Sequence, residues 1–344
     1  MRAAGDVSVP LVVIDADVLG RERTGDETHV VNLLRCLPKA AAGALRFAAV
    51  TRRPDLVPDG VVPVPLPARS QELLMAWSLP HLLRRLDPSL AHFQYSLPLR
   101  CPCPAVVTVH DLSFERDPSV MGRRDRLVFS RVVPRAVRRA ARVFAVSERT
   151  RRDLVELYGT PLEKIVLTPN AVDPVFTPGG ERNGYLLFVG SIQERKNPLA
   201  AADAAAEVGM PLIVAGPAKE PALARELERR GAHLRGYVDK PHLADLYRGA
   251  VCVVLPSRFE GFGLPVLEAM ACGAPVVATN DAALREVGGD VAVYAEPDGL
   301  ASAIRLAIAE AEPRSQAGVE RARLFSWEET AGRVVAAYRE VLGL

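Results

Sequence analysis

The sequence has little of several things, and each shortage excludes a class of protein. Its five cysteines (Cys36, Cys101, Cys103, Cys252 and Cys272) form an odd set with no disulfide framework. One proline separates Cys101 from Cys103, too short for the usual redox or zinc spacings, and Cys252 and Cys272 lie in apolar surroundings. The set suits a reducing cytoplasm. Only five of the 43 basic residues are lysine, so a lysine inside a motif is informative. Net charge is small: 43 bases against 41 acids leave +2, too near balance to point to nucleic acid. No apolar run reaches the ~18 residues that a membrane helix needs. The start, Met1-Arg-Ala-Ala-Gly-Asp6, lacks the apolar region of a signal peptide. There is no short-period repeat and no low-complexity tract.

What is present reads as alternating α/β structure. The chain has 344 residues, 49% hydrophobic and 24% charged, enough for two packed domains. Short β-branched runs predict strands at 11–14, 47–51, 105–109, 143–146, 186–189, 212–215, 251–255 and 275–278. Several are apolar throughout, as strands buried on both faces of a parallel sheet must be. Helical patterns lie between them, for example at 28–37, 70–86, 200–207 and 220–230. This alternation implies doubly wound parallel sheets. Asp173-Pro-Val-Phe-Thr-Pro-Gly-Gly-Glu-Arg-Asn-Gly184 is rich in Pro and Gly and reads as a linker. Two sheets facing each other make a cleft at the carboxyl ends of their strands, where ligands of such sheets bind.

The sharpest motif is Val251-Cys-Val-Val-Leu-Pro-Ser-Arg-Phe-Glu-Gly-Phe-Gly-Leu-Pro-Val-Leu-Glu-Ala-Met-Ala-Cys-Gly273, which reads as strand, loop, helix and stop. Pro265 suits the first helical turn, where its missing N–H has no partner to lose, and Gly273 suits the helix end. Gly261, Phe262, Gly263 and Leu264 therefore lie beside a helix N-terminus, a ready anion site. Glu260 precedes this loop and Glu268 lies in the first turns of the helix. Both can face the cleft, one accepting from sugar hydroxyls and the other from a ribose diol. The alternative is a pair of acids stabilising a helix start.

The complete string resembles the signature of the large retaining family of GT-B nucleotide-sugar glycosyltransferases, family 4. The similarity continues through Cys272-Gly-Ala-Pro-Val-Val-Ala-Thr279 and Leu284-Arg-Glu-Val-Gly-Gly-Asp290. The resemblance implies a GT-B architecture: residues 1–175 binding the acceptor, 176–325 binding the donor, and a terminal helix in 326–344 packing back on the first domain. It implies no cofactor beyond the nucleotide-diphosphate sugar and no metal.

Other segments extend the site. Leu186-Leu-Phe-Val-Gly190-Ser-Ile-Gln-Glu-Arg195-Lys196-Asn197-Pro198 is a second strand-loop-helix, with Asn197 a candidate N-cap. Arg195 and Lys196 would hold a diphosphate and stabilise it as it leaves, with Gly190 beside them; the alternative is a solvated charged turn. Val107-Thr-Val-His-Asp-Leu-Ser-Phe114 is similar to bacterial mannosyltransferases of the family and gives His110 a place near the sugar. The other five histidines, His29, His81, His92, His233 and His242, read as structural. In the first strand-helix loop, Gly20–Thr28, Gly25 matches the family's phosphate-contacting glycine, but one glycine among charges departs from the pattern. Arg21, Arg23, Asp26 and Glu27 are alternative readers of the acceptor. Tyr237 either stacks on the nucleobase or belongs to the core. Ser147 reads as an N-cap and Asn170 as a turn residue. Asp15-Ala-Asp17 looks like a metal motif without supporting ligands and reads as a loop.

Residues 121–152 hold eleven arginines against Asp125 and Glu148. The readings are a solvated face or a peripheral membrane contact; nucleic acid lacks interleaved aromatics. The expected function is metal-independent, retaining transfer of mannose or a related hexose to a glycan, lipid-linked or small-molecule acceptor. The His-Asp-Leu-Ser-Phe string favours a GDP-sugar over a UDP- or dTDP-sugar. The rivals are a GT-B epimerase or hydrolase, a Rossmann dehydrogenase, which lacks its Gly-x-Gly-x-x-Gly turn here, and a non-catalytic sugar-nucleotide sensor.

Overall fold

The computed structural model describes residues 9–21, 24–66, 78–117 and 121–344. Strands β1 (Leu11–Asp15), β2 (Arg46–Thr51), β3 (Val62–Pro65), β4 (Leu90–Gln94), β5 (Ala105–Val109), β6 (Val143–Ala145) and β7 (Ile165–Leu167) form one sheet. Its order is β3-β2-β1-β4-β5-β6-β7. Strands β8 (Tyr185–Val189), β9 (Leu212–Ala215), β10 (His233–Gly236), β11 (Ala250–Leu255), β12 (Val276–Ala278) and β13 (Val293–Tyr294) form the second, in the order β10-β9-β8-β11-β12-β13. All pairings among the described residues are parallel. In each sheet the order in which strands are added reverses once, between β1 and β4 and between β8 and β11. Those reversals are where doubly wound sheets open a crevice for ligands.

The helices are α1 (Thr24–Ala41), α2 (Leu79–Leu86), α3 (Arg123–Arg139), α4 (Glu148–Tyr158), α5 (Pro198–Val208), α6 (Pro221–Arg229), α7 (Lys240–Gly249), α8 (Leu264–Ala271), α9 (Ala282–Gly288), α10 (Leu300–Ala309), α11 (Ala311–Ala322) and α12 (Trp327–Leu342). A single helical turn, Ser113–Arg116, follows β5. Of the helix expected at 70–86, the part before residue 78 lies outside the described residues. Residues 168–184, including the expected linker, contain no helix or strand.

The strands that composition missed are mostly edges. β3, β7, β10 and β13 each end a sheet, where one side lacks a partner and apolar patterning weakens. β3 even carries Pro63 and Pro65, which an edge tolerates. β4 is central but holds His92 and Gln94. His92 is fully buried, bonded through Nδ1 to the Tyr338 hydroxyl at 2.6 Å and through Nε2 to the Thr108 hydroxyl at 2.7 Å. Polar atoms satisfied inside a core carry no apolar signal. Tyr338 belongs to α12, which packs on α1 with Val334 and Val335 against Leu33, Leu34 and Leu37.

Candidate active site

On the second sheet the site begins at the end of β8. Gly190 leaves the strand and a 3-10 turn, Glu194–Lys196, follows it. Asn197 does not cap α5 as the sequence suggested. It sits at the N-cap position in left-handed backbone (φ 52°) and its side chain makes no capping bond. Asn tolerates that conformation better than most residues, and the sharp corner turns Arg195 and Lys196 back toward the loop after β11.

That loop carries Glu260. The Lys196 ammonium donates to Oε1 of Glu260, and Nη1 of Arg195 lies 3.8 Å from Oε2. Arg195 also donates to the Phe259 carbonyl at 2.9 Å, and its own carbonyl accepts from the Arg258 amide at 2.8 Å. Two loops 64 residues apart in sequence are thus cross-linked through one carboxylate. Burial acts to raise the Glu260 pKa, but Lys196, Arg195 and the bond from Ser257 outweigh it and hold the group below the usual range. Burial lowers the pKa of Lys196, opposed by Glu260 and reinforced by Arg195.

Glu268 sits in α8 in a different environment. Its Oε2 accepts from the Tyr247 hydroxyl of α7 at 2.9 Å. Burial pushes its pKa up to about 7, against the Tyr247 bond and the charge of Lys240. Tyr247 is a partner the sequence reading missed. Tyr237, beyond β10, is 49% exposed, so the core alternative is wrong and its ring stands at the surface.

On the first sheet His110 closes β5 and is buried. Its Nε2 pairs with Oε1 of Gln94 at 2.9 Å, and its Nδ1 lies 3.9 Å from Asp26. Burial brings its pKa down to about 4, so it is neutral at pH 7. Tyr95, next to Gln94, takes left-handed backbone (φ 58°), and its hydroxyl accepts from the Asp111 amide at 3.1 Å. Such strain in a non-glycine residue gathers at functional sites. The His29 ring meets the His110 ring edge-to-face, 4.9 Å between centroids, and its Nδ1 donates to Asn170 at 2.7 Å. The sequence reading set His29 aside and took Asn170 as a turn residue. The one available signal was polar Thr28, His29 and Asn32 on a helix face that is otherwise apolar; all three are buried.

Gly25 is also corrected. It is the second residue of α1, not the tip of a turn, and a Cβ there would meet nothing within 4 Å. The charged neighbours are partly engaged: Arg21 pairs with Asp17, and Glu27 accepts from the Gly20 amide at 2.7 Å. Arg23 lies outside the described residues. Asp17 also lies 3.2 Å from Arg52, and burial pushes Asp15 up to about 6. Among the described residues no group of three His, Cys, Asp or Glu is placed to hold a metal ion.

The two halves meet at Gly261. A Cβ at 261 would lie 2.3 Å from the carbonyl oxygen of His110 and 2.8 Å from Cβ of Asp111. Ser147 caps α4 as expected, accepting from the Thr150 amide at 3.0 Å, and it also donates to the Gly261 carbonyl at 2.5 Å. Glu286 of α9 accepts from the Glu148 amide at 2.8 and 2.9 Å, so a carboxylate of one half satisfies the helix start of the other. Arg149 lies over the Phe259 ring at 4.3 Å and 3.4 Å from Asp281. Gly263 (φ 104°) caps α8 in a conformation closed to other residues, with Leu284 2.9 Å from where a Cβ would stand. Phe262 and Leu264 are buried beside it.

Known proteins share this architecture. Residues 23–176 match the family model for Glycosyltransferase Family 4, and residues 183–310 that for Glycosyl transferases group 1. The O-antigen chain mannosyltransferase B of Escherichia coli is 30% identical over 266 residues, 68% of this chain and 70% of that one. A D-inositol 3-phosphate glycosyltransferase of Geodermatophilus obscurus is 34% identical over 59% of this chain, which spans only 53% of that relative. The sucrose-phosphate synthase structure from Thermosynechococcus elongatus superposes with a TM-score of 0.77 at 19% identity, covering 97% of this chain and 99% of that one. The two family models together span most of the sequence and the superposed structure shares both facing parallel sheets, so the chain belongs to glycosyltransferase family 4, with the GT-B fold.

Proposed function

We propose that the protein transfers a hexose, with retention of anomeric configuration and without a metal, from a nucleotide-diphosphate sugar to a hydroxyl of a glycan, lipid-linked or small-molecule acceptor. Mannose from GDP-mannose is the first candidate, supported by the string at 107–114 and by the E. coli mannosyltransferase relative; UDP- and dTDP-sugars are the other candidates. Residues 176–325 would bind the donor and 1–175 the acceptor, in the cytoplasm; five unbridged cysteines fit that compartment.

The observation that carries the reading is one ionised carboxylate, Glu260, shared by Lys196 and Arg195 on a loop that touches His110. Lys196 and Arg195 supply positive charge where a diphosphate leaves, and preorganised charge in a buried site stabilises that transition state without reorganising. Glu260 would orient the sugar hydroxyls, and Glu268 the ribose. Neutral His110 would hold a sugar hydroxyl at the acceptor side. Asp111 accepts from the Ser113 hydroxyl and Glu260 holds Lys196, which assigns both carboxylates to positioning, in keeping with the mechanism the family resemblance implies. This favours front-side attack: the acceptor oxygen bonds to the anomeric carbon on the face the diphosphate leaves, and its proton passes to the departing phosphate.

The test is a thermal-shift screen with GDP, UDP, ADP, dTDP and their sugar conjugates, repeated with EDTA and in Arg195→Ala. A ligand at ~100 times its Kd adds about 2.7 kcal/mol. Stabilisation by one nucleotide that survives EDTA and is lost in the variant is expected, followed by a product whose anomeric proton matches that of the donor. No stabilisation by any nucleotide would overturn the donor site. Binding with donor breakdown but no transfer would support the hydrolase or epimerase reading, and binding without turnover a sensor.

A further inference from the structure

Cys101 and Cys103 are separated by one proline, a spacing shorter than the usual redox ones, yet the structure brings their thiols together. The chain bends at Pro102 and Cys103, and the two sulfur atoms lie 3.8 Å apart. Both are half-buried against the core that holds Val13, Phe93 and Ala105, and Pro102 between them is exposed, so a small solute reaches the pair. Burial alone raises a thiol, as it does at Cys252 and Cys272, each pushed up to about 12. Cys101 goes the other way, down to about 7. The Cys103 thiol donates to its sulfur, and the Cys103 amide and the charge of Arg139 add to that effect against burial. Cys103 is raised in turn, first by the same bond. One sulfur is a nucleophile near neutral pH and the other holds a proton beside it.

We propose that Cys101 and Cys103 are a dithiol that a small-molecule disulfide such as oxidised glutathione closes to a reversible bridge, and that the bridge loosens Tyr95 beside His110. The Cys101 thiolate attacks one sulfur of the glutathione disulfide, and a mixed disulfide forms as one glutathione thiolate leaves. With Cys101 capped, the bond and charge that held the proton on Cys103 are gone. The Cys103 thiolate then displaces the second glutathione. Two protein thiols are oxidised to one disulfide, one glutathione disulfide is reduced to two thiols, and those carry the two protons away. A disulfide holds its sulfurs about 2.05 Å apart, so ~1.8 Å of the 3.8 Å gap must close. Cys103 is the fixed end: the Pro104 carbonyl accepts from the Ala91 amide at 3.0 Å, and β5 begins at Ala105. Cys101 therefore moves and draws on residues 95–100. Arg139 holds that stretch by donating to the Pro98 and Leu99 carbonyls at 3.4 and 3.2 Å, long bonds that give first. At its far end Tyr95 stands in left-handed backbone, its ring 5.5 Å from that of His110 and its hydroxyl on the Asp111 amide. The bridge thus reaches the first sheet's side of the cleft without touching the loops of Lys196 and Glu260.

The experiment incubates the full chain with oxidised glutathione at neutral pH, then digests it and reads each cysteine by mass spectrometry. Cys103→Ser and Cys101→Ser are run beside it, with circular dichroism to check their folds. The wild type should carry a bridge between residues 101 and 103 that dithiothreitol opens, with Cys36, Cys252 and Cys272 unmodified. Cys103→Ser keeps a hydroxyl that donates to Cys101, so it should retain glutathione on Cys101. Cys101→Ser should be modified at Cys103 at least ~10-fold more slowly, because that thiol lacks the help of Arg139. Hydrogen exchange then compares the bridged and reduced wild type. The Asp111 amide should exchange about fivefold faster in the bridged form, the effect of one lost hydrogen bond of ordinary worth, while the amides of β8 keep their rates. Lasting glutathione on wild-type Cys101, a bridge to any other cysteine, or equal rates in the two single variants would overturn the dithiol. A bridged chain whose Asp111 amide exchanges as before would overturn its link to the cleft.

Discussion

The backbone of Gly261 rests on the carbonyl of His110, so the loop that carries Glu260 and the strand end that carries His110 touch with no room for a methyl group. Their distance is fixed by main chain, not by adaptable side chains. Gly261→Ala must push the halves apart where the reacting groups converge. Misplacement by about 1 Å can cost on the order of 100-fold, and that loss in kcat/KM is expected. Each half keeps its own core, so the thermal midpoint should hardly move. A midpoint that falls by ten degrees with kcat/KM intact would mean the contact serves folding instead.

Lys196 and Glu260 form a buried pair whose members need each other. Removing one strands the other's charge in a site that excludes water, at a cost of about 3 kcal/mol. Glu260→Ala and Lys196→Met should each destabilise by roughly that amount. The double variant should lose less than the sum by about 2 kcal/mol, because no charge is left alone. All three should fail to transfer sugar. Urea titrations of the four proteins measure the coupling; strict additivity would show that the two charges do not interact.

Glu268 and the buried histidines give opposite pH dependences. Glu268 is pushed up to about 7 from an unfolded value near 4.3. The folded state therefore holds more protons than the unfolded one between those values, and stability falls as pH rises through them, by on the order of 3 kcal/mol. Burial brings His29 and His92 down to about 3 and His110 to about 4, with the neighbouring histidines adding to the shift of the first two. There the unfolded state holds more protons, and stability falls as pH drops below about 6.5, by about 2 kcal/mol each at pH 5. The wild type should show a flattened profile. Glu268→Gln keeps an acceptor for Tyr247 and removes one of the two trends. Its stability should rise steadily from pH 5 to pH 8 and exceed the wild type at pH 8. A variant weaker than wild type at pH 8 would show that the folded state does not raise the Glu268 pKa above its unfolded value.

Much of this was legible in the sequence, for a physical reason. Strands buried on both faces of a parallel sheet are apolar along their length, so β1, β5, β8, β9 and β11 stand out. Loop-to-helix corners need Gly and Pro, which exposed the surroundings of Glu260 and Lys196. What failed depends on partners remote in sequence. His92 looks unlike a central strand because Tyr338 and Thr108 satisfy both its ring nitrogens, and Gln94 because its Oε1 pairs with His110 at the cleft end of the strand. Gly261 looked like a phosphate-loop glycine; that a methyl there meets His110, 151 positions away, is set by how two domains face each other. Ser147 was legible as an N-cap, but its bond to the Gly261 carbonyl and the bond from the Glu148 amide to Glu286 were not, for the same reason.

Glu286 is the last of these contacts to test, because it joins the halves without touching the proposed donor site. Its carboxylate accepts from the Glu148 amide at the start of α4 while Arg149 reaches Asp281 beside it. In Glu286→Ala the helix start turns to water, which costs about 1 kcal/mol, the typical worth of a cap. Neither half should unfold, and nucleotides should stabilise the variant as they do the wild type. What changes is the balance between closed and open forms. Losing about 1 kcal/mol of closure lowers the closed fraction up to about fivefold, so kcat/KM should drop by a similar factor while small-angle scattering reports a larger radius of gyration. Unchanged scattering together with unchanged kcat/KM would show that the remaining contacts, Ser147 to Gly261 above all, hold the halves together without it.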